Sequence, residues 1–170
     1  MKNLGFLILA TVISSLASAQ DYSPSKNSIY GGLGFTEGGL GIGVDYEYNG
    51  LRDFGVGGYV RIYQKDDKGT NQKEGITTLG GFIRPHFTKK SWDLYVSPGF
   101  GLIMIDSQYT GTNQPGDTTG LGTSLAIGLM YEISNSVALG VENMRTWMWF
   151  SEDWRGLRVD DMMLRFRMSF

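Results

Sequence analysis

The chain has 170 residues, a formal net charge of −2 at pH 7 and no cysteine. The mild acidity argues against nucleic acid as a partner, because nucleic-acid-binding surfaces are basic, and the lack of cysteine excludes a disulfide scaffold and thiolate metal sites. Glycine is abundant, with 25 residues, and aromatic residues make up 13% of the chain. This composition, without helical periodicity, predicts a single all-β domain with short turns.

Residues 1–19 have the pattern of a secretory signal peptide. Lys2 precedes an apolar run from Leu4 to Leu16, and the sequence Ala17-Ser18-Ala19 is a small-x-small cleavage pattern. The run is shorter than the roughly 20 apolar residues that a transmembrane helix needs. We therefore expect residues 1–19 to be removed and residues 20–170 to form the mature domain.

The rest of the chain alternates apolar and polar residues with the period of two that is typical of β-strands. The predicted strands are Ser28–Phe35, Gly39–Tyr48, Phe54–Tyr63, Ile76–Phe87, Asp93–Ile105, Gly120–Glu132, Val137–Phe150 and Val159–Phe170. Most are long enough to cross a bilayer, which takes about 9–11 residues of tilted strand. If this part of the chain spans a membrane, it must be a closed barrel, because only helices and closed barrels satisfy their backbone in lipid.

The connections between these strands differ in length on the two sides of the predicted barrel. The short ones are Asn49–Asp53, Thr88–Trp92 and Ile133–Ser136. The longer, polar ones are Gln64–Gly75, Asp106–Thr119 and Ser151–Arg158. With eight strands, both termini and the short connections fall on one side, an asymmetry that is typical of bacterial outer-membrane barrels.

The two faces of the strands differ in the size and polarity of their side chains. In the second strand Leu40, Ile42 and Val44 share one face, and Asp45 and Glu47 lie with small glycines on the other. An eight-stranded barrel has an interior only just wide enough for side chains. The small and charged face therefore suits the lumen and the apolar face suits lipid, which predicts an eight-stranded antiparallel up-and-down transmembrane β-barrel.

The predicted lumen contains acids and bases in equal number. The inward charges are Asp45, Glu47, Arg61, Arg84, Glu132, Glu142, Arg165 and Arg167, with His86 nearby. They could line a narrow ion path or form a paired network that plugs the lumen. We favour the plug, because buried charges must be paired. Specifically, we expect Glu142 or Glu47 to pair with Arg61, Arg84 or Arg165.

The seventh strand departs from the pattern. The phase that places Val137, Leu139 and Val141 toward lipid also places Asn143 and Arg145 there. Arg145 is either close to the outer interface, where its side chain can snorkel, or a β-bulge reverses the phase before it. The sequence leaves both alternatives open.

The last strand, "MMLRFRMSF", together with the signal peptide, the strand count and the loop asymmetry, carries a resemblance to a known family. The chain resembles the small eight-stranded outer-membrane β-barrels of Gram-negative bacteria, the OmpA/OmpX-like group. The resemblance implies that Leu164, Phe166, Met168 and Phe170 form a C-terminal signal read by the outer-membrane assembly machinery. It also implies membrane lipid as the surroundings, periplasmic termini and a monomer.

No pattern for catalysis, a cofactor or a metal was found. The single histidine, His86, has no serine within two residues, and a general base needs a nucleophile within reach. One histidine without cysteine is also a poor metal site. We expect a non-enzymatic outer-membrane protein with a structural role or a surface role through loops that contain Tyr109, Pro115 and Trp154. The alternatives are a narrow porin-like channel and a soluble, exported, lipocalin-like barrel for a small apolar ligand.

Overall fold

A computed structural model describes residues 26–36, 39–51, 54–67, 72–107, 117–150 and 156–170. The predicted signal peptide and the loop residues Tyr109, Pro115 and Trp154 lie outside the described residues. Among the residues that are described, no helix is long and apolar enough to cross a membrane.

The described chain forms eight strands. They are β1 Asn27–Thr36, β2 Gly39–Leu51, β3 Phe54–Asp67, β4 Gln72–Lys89, β5 Trp92–Ser107, β6 Thr118–Ser134, β7 Val137–Phe150 and β8 Arg158–Ser169. Every predicted strand is confirmed, with ends that differ from the prediction by a few residues. The strands of 14 to 18 residues in β3 to β7 exceed the length that crosses a bilayer.

The eight strands close into one antiparallel barrel in sequence order, and β1 pairs with β8. Closure leaves no unpaired sheet edge, which satisfies the requirement for backbone hydrogen bonds in lipid. Next to this seam, Asn27 and Phe170 exchange backbone hydrogen bonds of 3.1 and 2.9 Å. Both ends of the barrel domain therefore lie at the same rim, which we call the terminal rim; the opposite end is the loop rim.

At the loop rim, the strands extend further than the alternation of apolar and polar residues predicts. The predicted connection Gln64–Gly75 is largely strand, because β3 continues to Asp67 and β4 begins at Gln72. The predicted connection Asp106–Thr119 is shortened in the same way by β5 and β6. Backbone pairing does not depend on an apolar side chain, so a hairpin can continue beyond the point where apolar alternation stops.

The apolar face points outward. Large hydrophobic side chains such as Leu33, Leu40, Ile42, Leu129 and Leu164 are exposed on the wall of the barrel, whereas the charged and tyrosine side chains are buried in the lumen. This orientation is the one predicted for a membrane barrel and the reverse of a water-soluble one.

Glycines leave the space that the large inward side chains fill. At Gly43, an added Cβ would lie 2.4 Å from the guanidinium of Arg61, and at Gly128 it would lie 2.1 Å from the ring of Tyr95. The glycine content of the inward face therefore has a packing reason, since the narrow lumen has no room for a second side chain at these levels.

Candidate functional site

The lumen contains a central cluster of two carboxylates and two arginines, Asp45, Glu142, Arg61 and Arg165. Arg61 Nη2 lies 2.8 Å from Glu142 Oε1 and 3.0 Å from Asp45 Oδ1. Arg165 Nη2 lies 2.6 Å from Asp45 Oδ2. These side chains come from β2, β3, β7 and β8. The pair of Arg61 and Asp45 joins consecutive strands, whereas the pairs of Arg61 with Glu142 and of Arg165 with Asp45 join strands that are far apart in the sequence. The predicted pairing of Glu142 with an arginine corresponds to the contact with Arg61.

Arg84 connects this central cluster to the terminal half of the lumen. Its Nη2 lies 2.8 Å from Asp45 Oδ2, and its Nη1 lies 2.7 Å from Glu47 Oε2. The guanidinium also lies 4.1 to 4.6 Å from the ring centroids of Tyr30, Phe82 and Tyr95. Aromatic faces attract a cation that has lost its water, so Arg84 is held by charge and by ring contacts together.

A second cluster lies around His86, nearer the terminal rim. His86 Nε2 is 2.6 Å from Glu47 Oε1, and Nδ1 is 2.9 Å from Asp93 Oδ1. Both ring nitrogens therefore face carboxylate oxygens, and only the protonated ring can donate at both positions. Arg167 pairs with Asp93 and, at 2.5 Å, with Glu132. All eight predicted lumen charges thus point inward and take part in ion pairs.

Two buried acids were missed by the sequence reasoning. Asp93 bridges His86 and Arg167, and Asp161 accepts a hydrogen bond from the hydroxyl of Tyr63. Asp161 alternates in step with Arg165, which the pattern did place inward, and Asp93 alternates in step with the buried Tyr95 and Ser97 of β5. The phase was therefore a usable signal, but both acids lie near strand ends, where facing is hardest to assign.

Toward the loop rim the lumen becomes apolar. One cluster of buried side chains there contains Tyr63, Ile76, Ile103, Ile105, Met148, Val159 and Met163. Nearer the middle, a cavity lined by Asp45, Arg61, Arg84 and neighbouring side chains has a volume of about 10 Å³. That volume is about the space of one water molecule. This apolar layer was not predicted from the sequence, which indicated a lumen filled by charges.

The residues of the proposed assembly signal lie on the outer wall. Leu164, Phe166, Met168 and Phe170 are all exposed, while Arg165 and Arg167 between them are buried in the ion pairs described above. The alternation of the last strand is therefore the one expected from its sequence. Whether these four residues act as a signal is a separate proposal.

The seventh strand keeps its phase through Arg145. Residues from Val137 to Arg145 pair with β8 in unbroken register. The pairing with β6 is irregular at two places, between Glu132 and Ser134 opposite the start of β7 and between Leu121 and Gly122 beyond Arg145, but the side chains of β7 keep alternating from Ala138 to Arg145. Asn143 and Arg145 consequently face outward, and of the two alternatives left open, a bulge that reverses the phase before Arg145 is wrong. Asn143 Nδ2 donates to the Asp161 carbonyl oxygen at 2.5 Å, and Arg145 pairs with Asp160.

Within the described ranges, no three histidine, cysteine, aspartate or glutamate side chains are placed to hold a metal ion. His86 has both ring nitrogens in contact with carboxylates, so neither is left to take a proton from a nucleophile in this arrangement.

Comparisons with known proteins agree with the geometry. Neisserial surface protein A has a similar structure, with a TM-score of 0.66 and 13% identity over 85% of this chain and 94% of the other. The attachment invasion locus protein Ail of Yersinia pestis matches with a TM-score of 0.57 and 14% identity over 88% of this chain and all of the other. The outer membrane enzyme PagL matches with a TM-score of 0.54 and 11% identity over 84% and 99%.

At these identities the structural matches show a shared fold. No curated protein matches the sequence. The sequence model of the outer membrane protein beta-barrel domain matches residues 6–170, nearly the whole chain. The chain therefore belongs to the outer membrane protein beta-barrel domain family, whose members are barrels of the bacterial outer membrane.

Proposed function

We propose that the protein is a monomeric, non-enzymatic barrel with a closed lumen, which acts through its loop rim at the cell surface. The observation that carries the proposal is the filling of the lumen by ion pairs and by an apolar layer. A protein without a bore and without a reactive group inside can contribute through its outer wall and its loops, and loops on a rigid scaffold are common binding surfaces.

The lumen supports closure at two levels. The central carboxylates are each paired with at least one arginine, and the adjacent cavity of about 10 Å³ is too small for a hydrated ion. Above it, the lumen contains the buried apolar cluster that includes Ile103 and Met148, and the polar groups of Tyr63 and Asp161 at this level hydrogen-bond to each other. These observations favour a closed lumen over a narrow porin-like channel.

The lipocalin-like alternative needs the opposite arrangement of faces. A lipocalin-like pocket for an apolar ligand requires an apolar lumen and a polar wall, whereas this wall carries exposed leucine and isoleucine and the lumen contains buried arginine. The arrangement of the two faces therefore favours a membrane barrel over a lipocalin-like barrel.

The absence of catalysis is part of the proposal. PagL shows that this fold can carry an enzyme. In the present chain, His86 is held between Glu47 and Asp93, which suits a structural cation better than a general base. We propose no cofactor and no catalytic residue.

The route and orientation that we propose follow from the sequence. Residues 1–19 direct export and are cleaved, residues 20–170 form the barrel, and Leu164, Phe166, Met168 and Phe170 are read by the assembly machinery. The terminal rim, with its short connections, faces the periplasm, and the loop rim faces the exterior, as is usual for such barrels.

Conductance measurements test the closed lumen. The purified protein inserted into planar bilayers is expected to give no unitary current steps. As a positive control, the same bilayers should conduct when a known porin is added. Regular steps that disappear on removal of the protein would overturn the plug and favour the channel.

Orientation can be tested with single cysteines, because the natural chain contains none. We expect Asp117→Cys, at the loop rim, to react with a membrane-impermeant maleimide on intact cells, and Lys89→Cys, at the terminal rim, to react only after permeabilisation. Both positions are exposed in the folded barrel, so a difference in labelling would report the side of the membrane and not burial of the side chain. The reverse labelling pattern would show that the loop rim faces the periplasm.

A further inference from the structure

The outer wall has a polar interruption between β7 and β8, close to the loop rim. It consists of Asn143, Arg145, Arg158 and Asp160, and we call it the β7–β8 polar patch. The side chains of Arg145 and Arg158 are 45% and 51% exposed. A charged group on a lipid-facing wall requires an explanation, because arginine is strongly unfavourable at the bilayer midplane.

Two arginines of the patch share one carboxylate. Arg145 pairs with Asp160 through Nε, and Arg158 Nε lies 2.8 Å from Asp160 Oδ2. The patch therefore keeps one excess positive charge. Each of these pairs uses Nε, while a guanidinium has five N–H donors in a fork that matches phosphate as well as carboxylate. Among the described residues, the other N–H donors of Arg145 and Arg158 remain available for a second anion.

The height of the patch matches the level of lipid headgroups. On β8 the outward residues below Asp160 are Met162, Leu164, Phe166 and Met168, an apolar series that ends at the patch. Arg145 lies eight residues from Val137 at the terminal rim, which corresponds to a height of about 20 Å along the barrel axis for a tilted strand. The apolar band of such barrels is about 25 Å tall.

Aromatic residues mark the same level. The Arg145 guanidinium lies 5.9 Å from the ring centroid of Trp147, and Trp149 donates its indole N–H to Thr123 Oγ1 at 2.7 Å. Tryptophan concentrates where hydrocarbon meets headgroups. The patch thus lies where a headgroup phosphate is available and where an arginine is far less unfavourable than at the midplane.

We propose that the β7–β8 polar patch binds the phosphate of a phosphorylated lipid in the outer leaflet. Arg145 and Arg158 donate charge-assisted hydrogen bonds to the phosphate oxygens, and the acyl chains lie along the adjacent apolar side chains of β8. Asp160 orients both guanidinium groups and competes with the phosphate for them. The assignment to the outer leaflet rests on the orientation given under the proposed function.

A lipid titration of the detergent-solubilised protein tests the proposal, with bound lipid counted by native mass spectrometry. The probe is diphosphoryl lipid A. We expect Arg145→Gln and Arg158→Gln each to weaken binding by about tenfold and the double variant by about a hundredfold, because a hydrogen bond to a charged group contributes roughly 1.5 kcal/mol or more. The matched control is Lys89→Gln with Lys90→Gln, which removes two positive charges at the terminal rim and should bind as the natural protein does.

A gain of binding separates recognition from damage to the fold. Asp160→Asn raises the excess charge of the patch from one to two and is expected to tighten binding of lipid A, which a poorly folded variant would not do. The same lipid with its phosphates removed should bind as weakly to the natural protein as lipid A binds to the double arginine variant. Inorganic phosphate at the same concentration should not displace lipid A, because it lacks the acyl contacts.

Three results would overturn the proposal: unchanged binding in the double arginine variant, equal binding of the dephosphorylated lipid, or displacement by inorganic phosphate, which indicates a general anion site. The micelle titration does not depend on orientation in the cell. A patch that does not bind lipid phosphate can therefore be distinguished from an incorrect orientation, which the cysteine labelling tests.

Discussion

At the scale of single residues, the main feature is the sharing of partners in the lumen. Asp45 contacts Arg61, Arg84 and Arg165, and Glu142 contacts Arg61 and accepts a hydrogen bond from the hydroxyl of Tyr95 at 2.6 Å. A buried charge that loses its partner keeps its desolvation cost. Removing one member of the network alone is therefore expected to lower the free energy of unfolding.

A double-mutant cycle on Arg61 and Glu142 measures this coupling. We expect Arg61→Gln and Glu142→Gln each to lower the free energy of unfolding by roughly 3–5 kcal/mol, because each leaves the remaining buried charges with one partner fewer. The double variant is expected to lose less than either single variant. Unfolding in urea with the protein in micelles, followed by circular dichroism, gives the values.

The control for this cycle pairs Arg61→Gln with Asp93→Asn. Asp93 contacts His86 and Arg167 and has no ion-pair partner in common with Arg61 among the described residues. Asp93 and Arg61 are joined only indirectly, through His86, Glu47, Arg84 and Asp45, so we expect their coupling energy to be smaller than that of Arg61 and Glu142. Additive losses for Arg61 and Glu142 would contradict a coupled network.

At the scale of strands, close approach between neighbours depends on glycine at defined positions. At Gly101 on β5, an added Cβ would lie 2.1 Å from the backbone oxygen of Leu79, whereas at Gly31 on β1 it meets nothing within 4 Å. We expect Gly101→Ala to lower the free energy of unfolding by about 1–3 kcal/mol, as overpacking does, and Gly31→Ala to change it little. Equal effects, measured by the same urea titration, would show that the strands shift freely to accept the methyl group.

The depth of the outward positions gives a second prediction at this scale. Leu164 lies four residues below Asp160 on β8, and Leu40 lies at the loop-rim end of β2; both are exposed leucines. We expect Leu164→Arg to make folding into bilayers less favourable by roughly 2–4 kcal/mol and Leu40→Arg by about 0–1 kcal/mol, because the energetic cost of an arginine facing lipid depends on its depth. Equilibrium folding into lipid vesicles measures both. Losses of the same size would mean that the two positions lie at the same depth.

At the scale of the whole molecule, the arrangement of faces decides the solvent. An apolar wall and a charged lumen predict that the protein refolds from urea in detergent micelles and not in plain buffer. Circular dichroism should show strand signal only with detergent, and the unboiled protein should migrate differently from the boiled protein on a gel. A folded monomer in plain buffer would contradict the assignment of the wall to lipid.

Much of the barrel could be predicted from the sequence, because its physical basis is local. Alternation with a period of two assigns each side chain to a face, and the narrow lumen assigns the small and charged face to the inside. This reasoning placed Asp45, Arg61 and Arg165 inward and Leu164 outward. It ended the strands too early at the loop rim, because Gln64 to Asp67 extend β3 by backbone pairing without apolar alternation.

The partners within the lumen could not be predicted, since they depend on the stagger between strands. Alternation determines that Arg61 and Glu142 share the interior but not that their atoms lie 2.8 Å apart. Likewise, the sequence left the facing of Arg145 open, and the register of β7 against β8 decided it by bringing Asp160 and Arg158 alongside. The sequence by itself therefore determined the two faces of each strand, the number of strands and the surroundings of each face. Closure of the barrel and the register of its strands decided which charges meet, because most of those contacts join residues far apart in the chain.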